Sequence, residues 1–215
     1  MLVCVMAKEP RPGFVKTRLC PPCTPEEAAT LAEACLADTL ATVTATPATH
    51  RLVALDGRPG RWLPDGLDVV PQVGGDLGHR LDAAVAAAFA RCPEGPVVVI
   101  GMDTPQVRPG DLAAAAAALD PAHGHDAALG PTADGGYWVI GLRRPLAGAF
   151  DGVPMSTSHT GAAQRRRLDE LGCRVWLAPE LVDVDDIASA RVVAASAPQT
   201  RFARALTELE EATAP

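Results

Sequence analysis

The stretch VVVIGMDTPQ, residues 97–106, decides the fold. Its first four residues are all β-branched, with no polar residue alternating among them. A strand that faces water on one side alternates, so an unbroken apolar run predicts a strand covered on both faces, as in the interior of a parallel sheet. After Gly101 and Met102 the chain sets down Asp103. In open α/β sheets the ligand crevice lies just beyond the carboxyl ends of the strands, which makes Asp103 a candidate catalytic acid. Its other use would be to cap the turn into the next segment, a common role for Asp. The rest of the chain has to decide between the two.

Working outward, LVCVMA (2–7) is a second short apolar run and a candidate central strand, followed by strand candidates RLVALDG (51–57) and DVVPQV (68–73), the latter weakened by Pro71. TPEEAATLAEACLADTLATV (24–43) reads as a helix, with Thr24 as N-cap, Pro25 at the first helical position and acids in the first turn. GGDLGHRLDAAVAAAFARC starts a helix near Asp76, RPGDLAAAAAALD enters one through Pro109, and STSHTGAAQRRRLDELG (156–172) reads as a helix ended by Gly172. HDAALG, GYWVIGLR and CRVWLA complete the strands, and two terminal helices follow. This alternation predicts a doubly wound α/β sheet flanked by helices. The candidates at 125–130 and 136–142 are too close for a parallel crossover, so one antiparallel strand in a mixed, mostly parallel sheet is expected.

With 215 residues, 48% hydrophobic and 21% charged, the chain is expected to form a single domain over 1–215 with a substantial core. A net charge of −7 and only eight aromatic residues argue against a nucleic acid as partner, which would want a basic face and stacking platforms. No stretch approaches the roughly 20 apolar residues of a membrane span, and the first residues run straight into a strand pattern without a leader. The expectation is a cytoplasmic protein with no membrane partner. Cys4, Cys35, Cys92 and Cys173 are scattered singly, as reduced thiols are. CPPC at 20–23 has the spacing of a redox pair or half a zinc site, but no second pair completes a metal site.

Three constellations carry chemistry. The segment AKEPRPGFVKTRL holds four cations, Lys8, Arg11, Lys16 and Arg18, at the carboxyl end of the first strand of an acidic protein. Lysine and arginine there suit the phosphate oxygens of an anionic ligand, against the alternative of a solvated loop. The segment is neither a GxxxxGK phosphate loop nor a GxGxxG dinucleotide fingerprint. PTADGGYWVIGL sets Asp134, a second candidate catalytic acid, before Gly135, Gly136 and Tyr137. The glycines allow close approach of backbone to ligand, or equally a tight turn between antiparallel strands. DVDD at 183–186 offers Asp183 and Asp185, which would point the same way in an extended segment and suit a hard cation together with phosphates. The alternative use is helix N-capping by Asp185 or Asp186.

Taken in order, AKEPRPGFVKTRL, QVGGDLGHRL, IGMDTPQV, LGPTADGGYWVIGL, MSTSHT and DVDD resemble a family of predicted glycosyltransferases associated with arsenosugar biosynthesis, within the nucleotide-diphospho-sugar transferase superfamily; the resemblance covers about residues 1–190. KTRL is also similar to the start of phospholactate guanylyltransferases, which share the superfamily fold. The resemblance implies a GT-A type, Rossmann-like fold, a nucleotide-bearing donor, a small-molecule acceptor, and Mg²⁺ or Mn²⁺. It implies that Lys8, Lys16 and Arg18 face donor phosphates and that Asp103, Asp183 and Asp185 hold the metal. It further implies that Gly75, Asp76, Gly135, Gly136 and Tyr137 line the donor or acceptor. Two departures stand out. Many enzymes of this fold carry DxD after the central strand, where this chain has GMDTP with one acid, and Met155 stands where a tryptophan is often found. The expected activity is a metal-dependent transfer from a nucleotide-activated donor, glycosyl transfer from a nucleotide sugar slightly ahead. Its rival is nucleotidyl transfer from a nucleoside triphosphate to a phosphorylated acceptor with release of pyrophosphate. A non-catalytic nucleotide-binding module is the alternative of another class, against which the three acids speak.

Overall fold

In the computed structural model, which describes residues 1–213, the β-branched run becomes β4 (Val97–Gly101), the middle strand of a seven-stranded sheet. Val97, Val98, Val99 and Ile100 are each at most 3% exposed. The reason for the missing polar alternation is visible in the packing. Val98 and Ile100 lie in a cluster with Leu36, Leu40 and Leu112 on one face, and Val97 and Val99 lie with Leu81, Val85 and Phe89 on the other.

The remaining strands are β1 (Leu2–Lys8), β2 (His50–Asp56), β3 (Asp68–Pro71), β5 (Ala127–Pro131), β6 (Tyr137–Leu142) and β7 (Val175–Leu177). Across the sheet the order is β3-β2-β1-β4-β6-β5-β7. β6 runs against both of its neighbours, while every other pairing is parallel. This is the expected mixed sheet. The link between β5 and β6 is too short to hold a crossover helix, so the chain can only double back. Pro71 ends β3 at the sheet's edge, where its missing N–H costs no ladder bond.

The helices are α1 (Pro25–Ala45), α2 (Leu77–Arg91), α3 (Pro109–Ala118), α4 (Thr160–Glu170), α5 (Ile187–Ser196) and α6 (Arg201–Thr213). α1 begins at the N-cap expected at Thr24, which the structure extends to a full capping box. Glu27 N–H donates to the Thr24 hydroxyl, and Thr24 N–H donates to the Glu27 carboxylate. α4 starts four residues later than its sequence pattern suggested. Residues 156–159 form a loop in which Ser156 has φ +58° and the Thr160 hydroxyl donates to the Pro154 carbonyl at 2.7 Å. Serine and threonine in that run compete for backbone groups and hold the chain out of a helix.

A third cluster joins the outer side of α1, through Leu31 and Cys35, to Val193 of α5 and to Phe202 and Leu206 of α6. Asp38 of α1 fixes the start of α6 by accepting from the N–H groups of Arg201 and Phe202. Leu19 and Val184, each 0% exposed, belong to the same cluster, so the loop after β1 and the segment before α5 are anchored side by side. All six cysteines are free thiols, and Cys23 of CPPC is buried in this cluster. Among the described residues no helix is long and apolar enough to cross a membrane.

Ile100→Ala is expected to cost about 3 kcal/mol, the middle of the range for a fully buried aliphatic residue. Thr24→Ala is expected to cost about 1 kcal/mol through the lost cap. Urea denaturation of the two variants against the parent chain measures both.

Candidate functional site

The carboxyl ends of β1, β4 and β5 point to one edge of the sheet, and three segments converge there. Asp103, two residues beyond β4, accepts through its carbonyl from the Val184 N–H at 2.9 Å. Lys16 closes the same junction from the loop after β1. Its ammonium lies 2.5 Å from Asp103 Oδ1 and donates to the Val184 carbonyl. The Lys16 backbone is left-handed, φ 49° and ψ 35°, uncommon for a residue with a side chain. It feeds a single 3-10 turn, Thr17–Leu19, whose Leu19 is buried. The turn thus aims a lysine inward, where its side chain is only 10% exposed. Burial is the largest single influence and pulls the Lys16 pKa down, but Asp103 together with Cys35 and Asp183 outweighs it and raises the pKa.

Asp134 and Asp183 meet through strand register. Beyond the end of β5, Thr132 bridges Leu181 in parallel, with Ala133 N–H donating to Leu181 O at 2.9 Å and Leu181 N–H donating to Pro131 O at 3.1 Å. Each Asp lies two residues past its side of that bridge, so the two travel together. Trp138 Nε1–H adds a tie to the Pro179 carbonyl at 3.0 Å. Asp134 is held by the Thr132 hydroxyl at 2.6 Å and the Gly136 N–H at 2.8 Å, both donating to its Oδ1. The turn carries Gly135 at φ +90°, where a Cβ would sit 2.0 Å from the Ser158 carbonyl oxygen. No other residue fits there. Gly161, at the start of α4, donates its N–H to the Gly135 carbonyl at 2.8 Å, and a Cβ on it would meet Gly136 O at 2.5 Å.

The electrostatics mark this edge. Burial first, then the carboxylates of Asp134 and, more weakly, Asp103, push the Asp183 carboxyl up to about 6, while Lys16 pulls against them. A raised acid near two others at a strand-end crevice marks this edge as a candidate functional site.

The other sequence candidates fall in distinct places. Lys8 ends β1 with an exposed side chain. Arg18 is 75% exposed and pairs with Asp185 at 2.6 Å. Of the three acids expected to meet around one ion, Asp103 and Asp183 lie near Lys16, and Asp185 pairs with Arg18. Asp134 acts on Asp183 from the other side, away from the Asp185–Arg18 pair. The capping alternative applies to Asp186, whose carboxylate accepts from Ser189 N–H at the start of α5. Asp76 likewise caps α2 by accepting from His79 N–H, after Gly75 at φ +106°, and Arg80 ties that loop to Asp56. Tyr137 packs its hydroxyl between Met155 and Gln164, and burial raises its pKa.

Two residues that sequence reasoning passed over help to shape the edge. Gln72 donates to the carbonyls of both Ala7 and Ala54, fastening the ends of β1 and β2, and Gln106 donates to the Val182 carbonyl beside Asp103. A polar residue directly after an apolar strand was the only signal for Gln72.

Among the described residues no three acidic, His or Cys side chains stand ready as a ligand sphere. The donors present fit a hard divalent ion in kind, since the carboxylates of Asp103 and Asp183 lie near each other and Asp134 lies next to Asp183.

The profile of a family described as "Uncharacterized protein conserved in bacteria (DUF2064)" matches residues 30–157. No curated protein matches the chain in sequence. Among solved structures, the chain resembles a protein from Desulfovibrio desulfuricans G20 described as an inferred nucleotide-diphospho-sugar transferase, with 26% identity, a TM-score of 0.85, and coverage of 98% of this chain and 94% of that one. CMP:2-keto-3-deoxy-manno-octonic acid synthetase complexed with CTP shares the fold at 12% identity and a TM-score of 0.58, over 92% of this chain and 98% of that one. So does Rv0371C of Mycobacterium tuberculosis H37Rv in complex with manganese, at 19% identity and a TM-score of 0.54, over 89% and 97%.

Asp183→Asn tests the crowding of the acids. With a folded pKa of about 6 against an ordinary 3.8, the folded chain keeps a proton that the unfolded chain loses, so ionisation costs stability as pH rises from about 4 to 6 and the cost then stays constant. The variant should be more stable than the parent chain by about 1–2 kcal/mol at pH 7.5, allowing for partial solvent screening, and equal to it near pH 4. Thermal unfolding at the two pH values reads the difference.

Proposed function

The chain belongs to the family described as uncharacterized proteins conserved in bacteria (DUF2064), and from that premise and the geometry of the site we propose that it is a metal-dependent transferase that transfers a glycosyl group from a nucleotide sugar to a small-molecule acceptor. One observation carries the reading: Asp103 and Asp183 meet at Lys16 on the carboxyl edge of the sheet, with Asp134 next to Asp183, beside a segment that presents Lys8 and Arg18. The 26% identical structure described as a nucleotide-diphospho-sugar transferase supports it over almost the whole chain.

Asp103 and Asp183 would hold Mg²⁺ or Mn²⁺, which supplies charge neutralisation to a departing diphosphate. Lys16 keeps Asp103 turned to the crevice and adds fixed positive charge, and Lys8 and Arg18 take the outer phosphate oxygens. Asp185 steers Arg18 through their ion pair. Asp134 spends Oδ1 on Thr132 and Gly136, which leaves Oδ2 to accept the proton of an attacking hydroxyl. Gly75 and Asp76 shape the loop beside the donor, and Gly135, Gly136 and Tyr137 form the wall behind the reacting group.

A second reading has its own support. The single acid after β4 and the fold shared with a CTP-bound synthetase favour nucleotidyl transfer, in which a phosphorylated acceptor attacks the α-phosphate and pyrophosphate leaves. The leaving group separates the two. With Mn²⁺ present and acceptor mixtures supplied, release of a nucleoside diphosphate from a nucleotide sugar is the expected result. Pyrophosphate from a nucleoside triphosphate, with every nucleotide sugar left intact, would assign the second reading instead. Under either chemistry Asp103→Asn should slow turnover by about 100-fold or more, since it removes charge from the site's centre.

A further inference from the structure

CPPC, residues 20–23, takes no part in the site, yet it joins the turn that aims Lys16 to the helix against which that turn packs. On one side lies the 3-10 turn Thr17–Leu19; on the other, Cys23 directly precedes Thr24, the N-cap of α1. Backbone bonds make the motif continuous with the turn. Cys20 N–H donates to the Thr17 carbonyl at 3.2 Å, and Cys23 N–H donates to the Leu19 carbonyl at 3.0 Å. The second bond closes residues 19–23 on themselves. An extended CxxC would set its cysteines about 10 Å apart, beyond the roughly 4–7 Å between Cα atoms that a disulfide spans, and a closed turn removes that obstacle.

The two thiols differ in access. Cys23 is 4% exposed and packs in the cluster with Leu19, Ala28, Leu31 and Phe202, while Cys20 lies at the border of the same cluster and is partly exposed. Burial, then Glu27 and Cys20, push the Cys23 thiol up, so the two sulfurs are near enough for one to feel the charge of the other. Cys35 belongs to the same cluster but is 0% exposed, closed to any oxidant.

We infer that Cys20 and Cys23 form a reversible dithiol–disulfide site, oxidised by a small-molecule disulfide, whose bond staples the Lys16 turn to the start of α1. The accessible Cys20 thiolate attacks one sulfur of the oxidant; the oxidant's S–S bond breaks, one thiolate leaves, and a mixed disulfide remains on Cys20. Cys23 gives its proton to solvent, attacks the Cys20 sulfur and expels the second thiolate. The oxidant is reduced to two thiols, and the cysteine pair supplies the two electrons and two protons. The site is independent of the transferase reading.

Glutathione disulfide applied to the full chain, with dithiothreitol to reverse it, tests the site. Trypsin releases Cys20, Cys23 and Cys35 in one peptide, residues 19–51, because no Lys or Arg lies between Arg18 and Arg51. After alkylation in denaturant, the expected peptide carries a single adduct, on Cys35, and lacks the thiol hydrogens of Cys20 and Cys23. Cys23→Ser, with Cys23→Ala as a second variant, should stop at the mixed disulfide and keep glutathione on Cys20. Cys20→Ser should take up glutathione at least about tenfold more slowly than Cys23→Ser. In the parent chain, oxidation should slow hydrogen exchange at the Cys20 and Cys23 amides, whose bonds tie the motif to the Lys16 turn. Three adducts on the peptide, an adduct missing from Cys35, or equal glutathione uptake by the two single variants would overturn the dithiol site. Unchanged amide exchange in the oxidised chain would overturn the staple.

Discussion

One buried ammonium organises the edge of this sheet. Lys16 reaches from the loop after β1 to the carboxylate of Asp103 and to the carbonyl of Val184, 168 residues away in the chain. Without a cation there, the Val184 carbonyl and the half-exposed Asp103 carboxylate would face each other with no donor between them. With it, the loop after the first strand, the end of the central strand and the segment before α5 become one surface. The left-handed backbone at Lys16 is a local cost that this junction sustains. The apolar anchors Leu19 and Val184 hold the two approaching segments in place, so the position of the charge follows from the packing of α1, α5 and α6.

The second organising element is register. The parallel bridge between Thr132 and Leu181 sets Asp134 beside Asp183 with no dedicated contact between the two acids. Repulsion between them is then built in, and burial intensifies it. The same edge carries exposed basic residues on the neighbouring loop. Two ion pairs, Lys16 with Asp103 and Arg18 with Asp185, join that loop to the acids of the edge.

Much of the fold could be read from the residues because it depends on local rules. The VVVI run has both faces covered in the structure, Thr24, Pro25 and Glu27 announce α1, and the short DGG link forces β6 to run antiparallel. The edge position of Asp103, Asp134 and Asp183 was legible for the same reason, since each follows a strand. The pairing pattern was not. Which of Asp183 and Asp185 turns toward Lys16 depends on Val184 entering a core built by α1, α5 and α6, a tertiary fact with no local signature. The late start of α4 reflects hydroxyl–backbone bonds among residues 154–160 that a helical periodicity does not register. Gln72 and Gln106 act through carbonyls of other strands, and such long-range amide contacts leave no spacing to detect.

Gly135 and Gly161 each bring one stretch of main chain directly against another. Side chains elsewhere in the molecule can absorb a small displacement by changing rotamer, but here no such slack exists. The Asp134 turn and the first turn of α4 therefore behave as a single stiff bracket. Between the first turn of α4 and the Asp134 turn there is no side chain whose rotamer could take up a displacement. In mechanical language the bracket is a joint with little play, which ties the position of the acid at the sheet's edge to the seating of the helix start.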